Sequence, residues 1–189
     1  VLVPEVWQAV ARETQLPELL KTTRDIPVYE DLMDYRLDIL RAQGITLTDI
    51  QNEIAKLKPL DGAKDFLDWA GERFQVAIIS DTFYEFAGPL MVQLGDPFLL
   101  CHKLIVEDDR VVGYKLRQTD PKRHSVKAFK SLDLKVIAAG DSFNDVSMLE
   151  EADHGIFFQA PENVRAQFPQ YPLAADYAEL QALIEEAVG

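Results

Sequence analysis

Residues 135–145 read KVIAAGDSFND. Val136, Ile137, Ala138 and Ala139 are apolar without alternation, the pattern of a strand covered on both faces in a parallel sheet. Gly140 lets the backbone turn sharply off that strand. Asp141 and Asp145 follow four residues apart, so a helical turn between them aims both carboxylates the same way. Ligands of such sheets bind at the carboxyl ends of the strands, where this pair falls. Two hard oxygen donors there suit Mg²⁺, which takes few carboxylates and fills its shell with water and substrate phosphate. A plainer reading stands beside it: Asp141 caps the next helix, and Asp145 is a solvated residue of its first turn.

Outward from this stretch, strand and helix patterns alternate. Helices are expected over 62–72, 84–94, 121–130, 143–151 and 177–187. Strands are expected at 74–80 (FQVAIIS), 135–140 and 155–158 (GIFF), with a hairpin about the turn dipeptide Asp108-Asp109. From Pro4 to about Lys58 the texture is helical throughout. Leu32, Tyr35, Arg36, Ile39 and Leu40 keep three-four spacing, and Leu47, Ile50, Ile54 and Leu57 repeat it. Thr46 or Thr48 is the expected N-cap of the second run, and Gly44 the stop of the first. The expected fold is α/β: a Rossmann-like parallel sheet core from residues 1–4 and 60–189, and a small helical cap at 5–59 inserted near the N-terminus.

Composition limits the function classes. The 189 residues carry a formal net charge of −13, with acids spread along the chain, which argues against nucleic acid and anionic membranes as partners. The longest apolar runs are too short to span a bilayer. A single cysteine, Cys101, forms no internal disulfide and points to a reducing, cytoplasmic compartment. Any phosphate site must therefore be locally positive against an acidic field.

More chemistry-bearing residues fall at expected strand and helix ends. Ser80, Asp81 and Thr82 follow the strand at 74–80, and Lys122 opens the helix at 121. Each has a plain alternative: Ser80 satisfies a local backbone group, and Lys122 is a solvated surface lysine with Arg123 and Lys127 beside it. Their order is the informative part: a hydroxyl, then a lysine at a helix start, then Gly-Asp after the next strand. His102, Cys101, Trp7 and Trp69 are assigned to structure.

That order, with LKPLDGA (57–63), SDTFYEF (80–86), DPKRHSV (120–126) and AAGDSFNDVSML (138–149), resembles the haloacid dehalogenase-like phosphohydrolase superfamily. Within it the chain is similar to the bifunctional members acting as phosphoserine phosphatase and as phosphoserine:homoserine phosphotransferase. VLVPE (1–5) looks like the tail of the family's first motif, which sets the nucleophilic Asp and the acid/base carboxylate before Val1, with most of the first strand. The resemblance implies Mg²⁺ bound by Asp141 with indirect support from Asp145, and Lys122 neutralising the phosphate. It implies that Ser80 and Asp81 lie at the phosphoryl group, with Asn144 orienting the substrate. Glu5 and Arg36 would read the substrate's amino and carboxylate groups, against plain readings as a first-turn acid and a solvated or salt-bridged helix residue. Asp81 stands where many phosphoserine phosphatases have Gly, a departure that fits the phosphotransferase subgroup. A homodimer is also expected. Phosphatases of other small phosphate esters, phospho-acceptor signalling modules and non-catalytic phospho-ligand-binding modules share these features. The block of about 55 helical residues ahead of LDGA speaks against the signalling module, which needs no cap.

Overall fold

The computed structural model describes residues 1–22, 25–26 and 28–189. In chain order the helices and strands are α1 (Val6–Thr14), α2 (Tyr29–Ala42), α3 (Leu47–Ala55), α4 (Ala63–Gly71), β1 (Ile78–Phe83), α5 (Tyr84–Gln93), β2 (Leu99–Glu107) and β3 (Arg110–Lys115). They continue with α6 (Pro121–Lys130), β4 (Ile137–Gly140), α7 (Val146–Glu151), β5 (His154–Phe158), α8 (Glu162–Arg165), β6 (Leu173–Ala174) and α9 (Tyr177–Val188). Short 3₁₀ turns lie at Pro17–Leu20 and Phe143–Asp145. The chain divides into two compact units: an α/β unit of Val1, Asp61–Ile79 and Gln118–Gly189, and a second unit of Leu2–Leu60 and Ser80–Arg117, called the helical unit for its N-terminal helices although it also carries β2 and β3.

The α/β unit is built on the parallel sheet β4-β5-β6, with Ile137 opposite His154, Gly140 opposite Phe157 and Phe158 opposite Ala174. Phe157, Leu149, Val126 and Ala138 pack into its core, where a fully buried large side chain contributes about 1.5–3 kcal/mol. Gly155 is needed for close packing, since a Cβ there would meet Leu149 Cβ and its carbonyl oxygen at 2.9 Å. Tyr177 stacks on Phe66 and Phe158, at centroid distances of 5.2 and 4.8 Å, and its hydroxyl donates to the Val1 carbonyl at 2.7 Å.

The helical unit packs α1, α2, α3 and α5 about Leu19, Met33, Leu37, Ile50, Ile54, Phe83 and Phe86. α2 stops as its sequence suggests. Gly44 takes φ +67°, its N–H donates to Arg41 O and that of Ile45 to Leu40 O, a Schellman closure. Thr46, not Thr48, caps α3, in a capping box with Asp49. Thr48 instead bonds to the hairpin: its N–H and hydroxyl donate to Asp109 Oδ1 at 3.1 and 3.0 Å, and Leu47 N–H donates to Asp109 O at 2.8 Å. The turn itself is the expected one, with positive φ at Asp108 (47°) and Asp109 (61°), as a tight hairpin requires.

One strand departs from expectation. The run at 74–80 forms no ladder over 75–77; the strand is Ile78–Phe83, and it joins β2 and β3 rather than the parallel sheet. The anchor is aromatic: Phe83, 1% exposed, packs edge-on to Phe86 and Tyr114. An apolar run announces a strand but does not name its partner.

Candidate active site

In the α/β unit the turn after β4 folds around Asp145. Oδ2 of this buried carboxylate accepts from the N–H groups of Asp141 (2.9 Å) and Ser142 (3.1 Å) and from the Ser142 hydroxyl (2.9 Å). Oδ1 accepts from Lys122 Nζ at 2.7 Å, and both partners are under 10% exposed. Ser142 is the N-cap of the Phe143–Asp145 turn, in a capping box with Asp145. Gly140 makes this possible by lacking a side chain. A Cβ there would lie 2.4 Å from Asp145 Cβ, a clash no rotamer relieves. Lys122 is aimed from the first turn of α6, which starts at Asp120 in a left-handed conformation (φ 46°), with Asp120 Oδ1 accepting from Ser147 Oγ at 2.7 Å.

Burial pushes the Asp145 carboxyl up, but the Lys122 ammonium and the turn's donors outweigh it and hold the group below the ordinary carboxylate value. Asp141 goes the other way: partial loss of hydration raises it, and the neighbouring Asp145 adds to the effect. Its side chain is still 50% exposed, so solvent screens much of this. The Val1 nitrogen lies 3.8 Å from Asp141 Oδ2. Asn144 is exposed and accepts a hydrogen bond from the Ser142 hydroxyl.

Among the described residues no group of three His, Cys, Asp or Glu side chains is placed to hold a metal. The turn offers instead one half-exposed carboxylate, Asp141, beside a second that is engaged by Lys122 and the turn amides. That donor set fits a hard divalent cation of the Mg²⁺ kind, bound through one protein carboxylate with water and phosphate completing its shell. It does not fit Zn²⁺, which wants a nitrogen- and sulfur-rich cage.

The other expected residues lie in the helical unit. Arg36 is 4% exposed, its guanidinium 4.5 Å from the Trp7 ring centroid, and Nη2 donates to Lys21 O at 2.7 Å. Among the described residues its Nε is buried with no hydrogen-bond partner. Burial lowers the Arg36 pKa, while Tyr29 and Glu5 act in the opposite direction. Glu5 is exposed at the start of α1 and accepts from Gln8 Nε2 at 2.6 Å. Ser80 Oγ accepts from Thr82 N–H at 3.3 Å. Asp81 is held through its main chain, where the Tyr29 hydroxyl donates to its carbonyl at 2.9 Å. Cys101 is buried, and burial pushes its thiol up to about 12.

A family model described as "haloacid dehalogenase-like hydrolase" matches residues 5–153. The chain is 62% identical over 182 residues to a protein of Pseudomonas aeruginosa named phosphoserine phosphatase ThrH, covering 96% of this chain and 89% of that one. A phosphoserine phosphatase of Pseudomonas syringae pv. tomato is 60% identical, over 96% of this chain and 77% of its own. Among solved structures, a phosphoserine phosphatase from T. onnurineus superposes with TM-score 0.70 at 28% identity, over 96% of this chain and 87% of that one.

The chain belongs to the haloacid dehalogenase-like hydrolase family.

For a hydrolase of this family, the structure brings Lys122, Asp141, Asn144 and Asp145 to one turn of the α/β unit, and Glu5, Arg36, Ser80 and Asp81 into the helical unit. Several plain readings fail on burial. Lys122 is not a surface lysine, Asp145 is not solvated, and Arg36 is neither solvated nor salt-bridged at the surface. Asp141 is not a helix cap; Ser142 takes that position. Ser80 does make the local backbone bond that its plain reading calls for. Sequence reasoning missed Ser142 and Tyr29. The capping-box spacing Ser-x-x-Asp was the available signal for Ser142; nothing local marks Tyr29, whose partner lies 52 residues away.

Proposed function

We propose that this hydrolase is a cytoplasmic, Mg²⁺-dependent phosphoserine phosphatase working through an aspartyl-phosphate. The Lys122–Asp145 pair beside the open Asp141, at the carboxyl end of a parallel strand, is the observation that carries this reading. The names of the relatives support the substrate class. The attacking carboxylate would be the aspartate of the family's first motif. Its oxygen forms a bond to phosphorus as the bond to the serine oxygen breaks, and the acid/base carboxylate gives that oxygen its proton. Water then attacks the same phosphorus, giving a proton to the acid/base carboxylate, and the bond from phosphorus to the attacking carboxylate breaks, freeing phosphate and restoring both groups.

The residues in hand prepare the surroundings. Asp145 fixes the Lys122 ammonium, so the positive charge waits at the site without reorganising as negative charge builds on phosphorus. Asp141 would hold the Mg²⁺, which supplies electrostatic relief to the phosphoryl oxygens when bound. Ser80 would donate to a phosphoryl oxygen and Asn144 would orient the ester. Arg36 would receive the substrate carboxylate through the guanidinium edge that includes its unpartnered Nε. Asp81 in place of glycine favours a second acceptor, homoserine in place of water.

The test is phosphate release from phosphoserine by the full-length protein with Mg²⁺ and with excess EDTA, then with homoserine added and phosphohomoserine followed by ³¹P NMR. Mg²⁺-dependent release is expected. No release from phosphoserine at saturating Mg²⁺ overturns the reading.

A further inference from the structure

We propose that Asp120 and Ser147 are positioning residues for Lys122, tying the first turn of α6 to that of α7 so that the ammonium group meets phosphate at a fixed place. The proposal rests on the reading of Lys122 as the cation at the phosphoryl group and adds to it what sets that cation in place.

The Asp145 carboxylate is fixed by its own turn, through the N–H groups of Asp141 and Ser142 and the Ser142 hydroxyl. Lys122 comes from a different element, on a flexible four-carbon stem that does not by itself fix the ammonium group. Its place therefore depends on where α6 begins relative to α7. Side-chain bonds join the two starts in matching register. Lys122 Nζ donates to Asp145 Oδ1 at 2.7 Å. Ser147, two residues after Asp145, donates through Oγ to Oδ1 of Asp120, two residues before Lys122, also at 2.7 Å.

Asp120 holds the N-cap position of α6 yet makes no side-chain cap bond there. At α9 the same residue type does cap: Asp176 accepts from the Glu179 N–H at 2.9 Å. The Asp120 carboxylate thus serves the neighbouring helix rather than its own. Its main chain still belongs to α6, the carbonyl accepting from His124 N–H at 3.1 Å, with φ at 46°, a conformation Asp and Asn tolerate. Farther along the two helices, Arg123 Nε donates to Glu151 Oε2 at 2.8 Å and Lys130 Nζ to the Glu151 carbonyl at 3.0 Å. Val126 of α6 and Leu149 of α7 share one core. These contacts keep α6 on α7 when the Asp120–Ser147 bond is removed, so losing that bond moves Lys122 without unfolding the unit.

The experiment follows phosphate release from phosphoserine by the full-length protein with Mg²⁺. Ser147→Ala is expected to lower kcat about 10-fold with KM within about threefold, because a displaced cation matters most as negative charge builds on phosphorus. Asp120→Gly adopts the positive φ but offers no acceptor, and should be as slow as Ser147→Ala. Asp120→Asn keeps both the φ and an acceptor, and should stay within about threefold of wild type. The double variant Asp120→Gly/Ser147→Ala should be no slower than either single variant, since both remove one bond. Wild-type kcat in Ser147→Ala, a loss carried by KM alone, an Asn variant as slow as Gly, or losses that multiply in the double variant each overturn the proposal. If one of Ser147→Ala and Asp120→Gly fails to fold by circular dichroism, the other decides; if neither folds, the bond serves the fold and the proposal is overturned. If wild-type protein releases no phosphate from phosphoserine, the function fails, and positioning is read from proton exchange at the ¹⁵N-labelled Lys122 ammonium group. Exchange about 10-fold faster in Ser147→Ala supports positioning, and an unchanged rate overturns it.

Discussion

The two units bury cations in opposite ways. In the α/β unit, Lys122 enters the protein with a carboxylate partner at 2.7 Å, and that partner is saturated by the turn that carries it. In the helical unit, Arg36 enters with an aromatic face and the Lys21 carbonyl, and among the described residues its Nε is left over. The first arrangement is complete within the fold. The second is stable only because the guanidinium is weakly hydrated and stacks on Trp7. A buried donor without a partner costs stability.

The largest effect follows from breaking the complete pair. Lys122→Met leaves the Asp145 carboxylate buried without its cation and should cost about 3–5 kcal/mol in a urea melt at pH 7, with phosphatase activity lost. A loss under 1 kcal/mol would show that the turn amides suffice. Gly140→Ala attacks the same cluster by volume: with its Cβ 2.4 Å from Asp145 Cβ, it should cost about 2–3 kcal/mol and most of the activity. An active, wild-type-stable Gly140→Ala protein would mean the turn shifts freely.

Arg36→Met should give the reverse profile. Stability should stay within about 1 kcal/mol, since an apolar side chain of similar volume replaces an imperfectly satisfied charge. KM for phosphoserine should rise about 10- to 150-fold, with phosphoethanolamine, which lacks the carboxylate, much less affected. Equal losses on the two esters would place Arg36 in the fold or at the phosphate.

Acid titration sharpens the contrast. Because Asp145 is held below its ordinary value of 3.8, its contribution is present above that pH and is lost as pH falls through the folded value. In Lys122→Met, burial acts on Asp145 without that cation. Its pKa should move above 3.8, and the cluster's pH dependence should reverse, the variant gaining stability relative to wild type on acidification. Denaturant midpoints between pH 3 and pH 7 read this, and curves that stay parallel would show the pair is not ionised as described.

The smallest effect lies away from both cations. Asp109→Ala removes the acceptor for Thr48 and places alanine at φ 61°, at a cost of about 1–2 kcal/mol, while Asp109→Asn should stay within about 0.5 kcal/mol.

What could be read beforehand was local. Gly140, Asp141 and Asp145 announce themselves because a strand end, a sharp turn and four-residue spacing are all written within a dozen positions. The Asp108-Asp109 turn and the Gly44 stop are legible for the same reason. Lys122 was visible by its place at a helix start, but its burial against Asp145, 23 residues on, is tertiary. Arg36 looked like a surface residue because helical periodicity does not reveal what another helix lays over it, here Trp7. The strand at Ile78–Phe83 was announced by its apolar residues, but its register and partner depend on aromatic packing around Phe83 that no single run encodes.

Cys101 supplies a clock. With its thiol buried and pushed up to about 12, almost none is thiolate at neutral pH, so little nucleophile is available to attack a disulfide reagent such as Ellman's while the helical unit is closed. As the chain's sole cysteine, it reports through one absorbance signal how often that unit opens. When reclosing outpaces labelling, the rate measures the free energy of opening; when labelling is faster, it measures the opening rate itself.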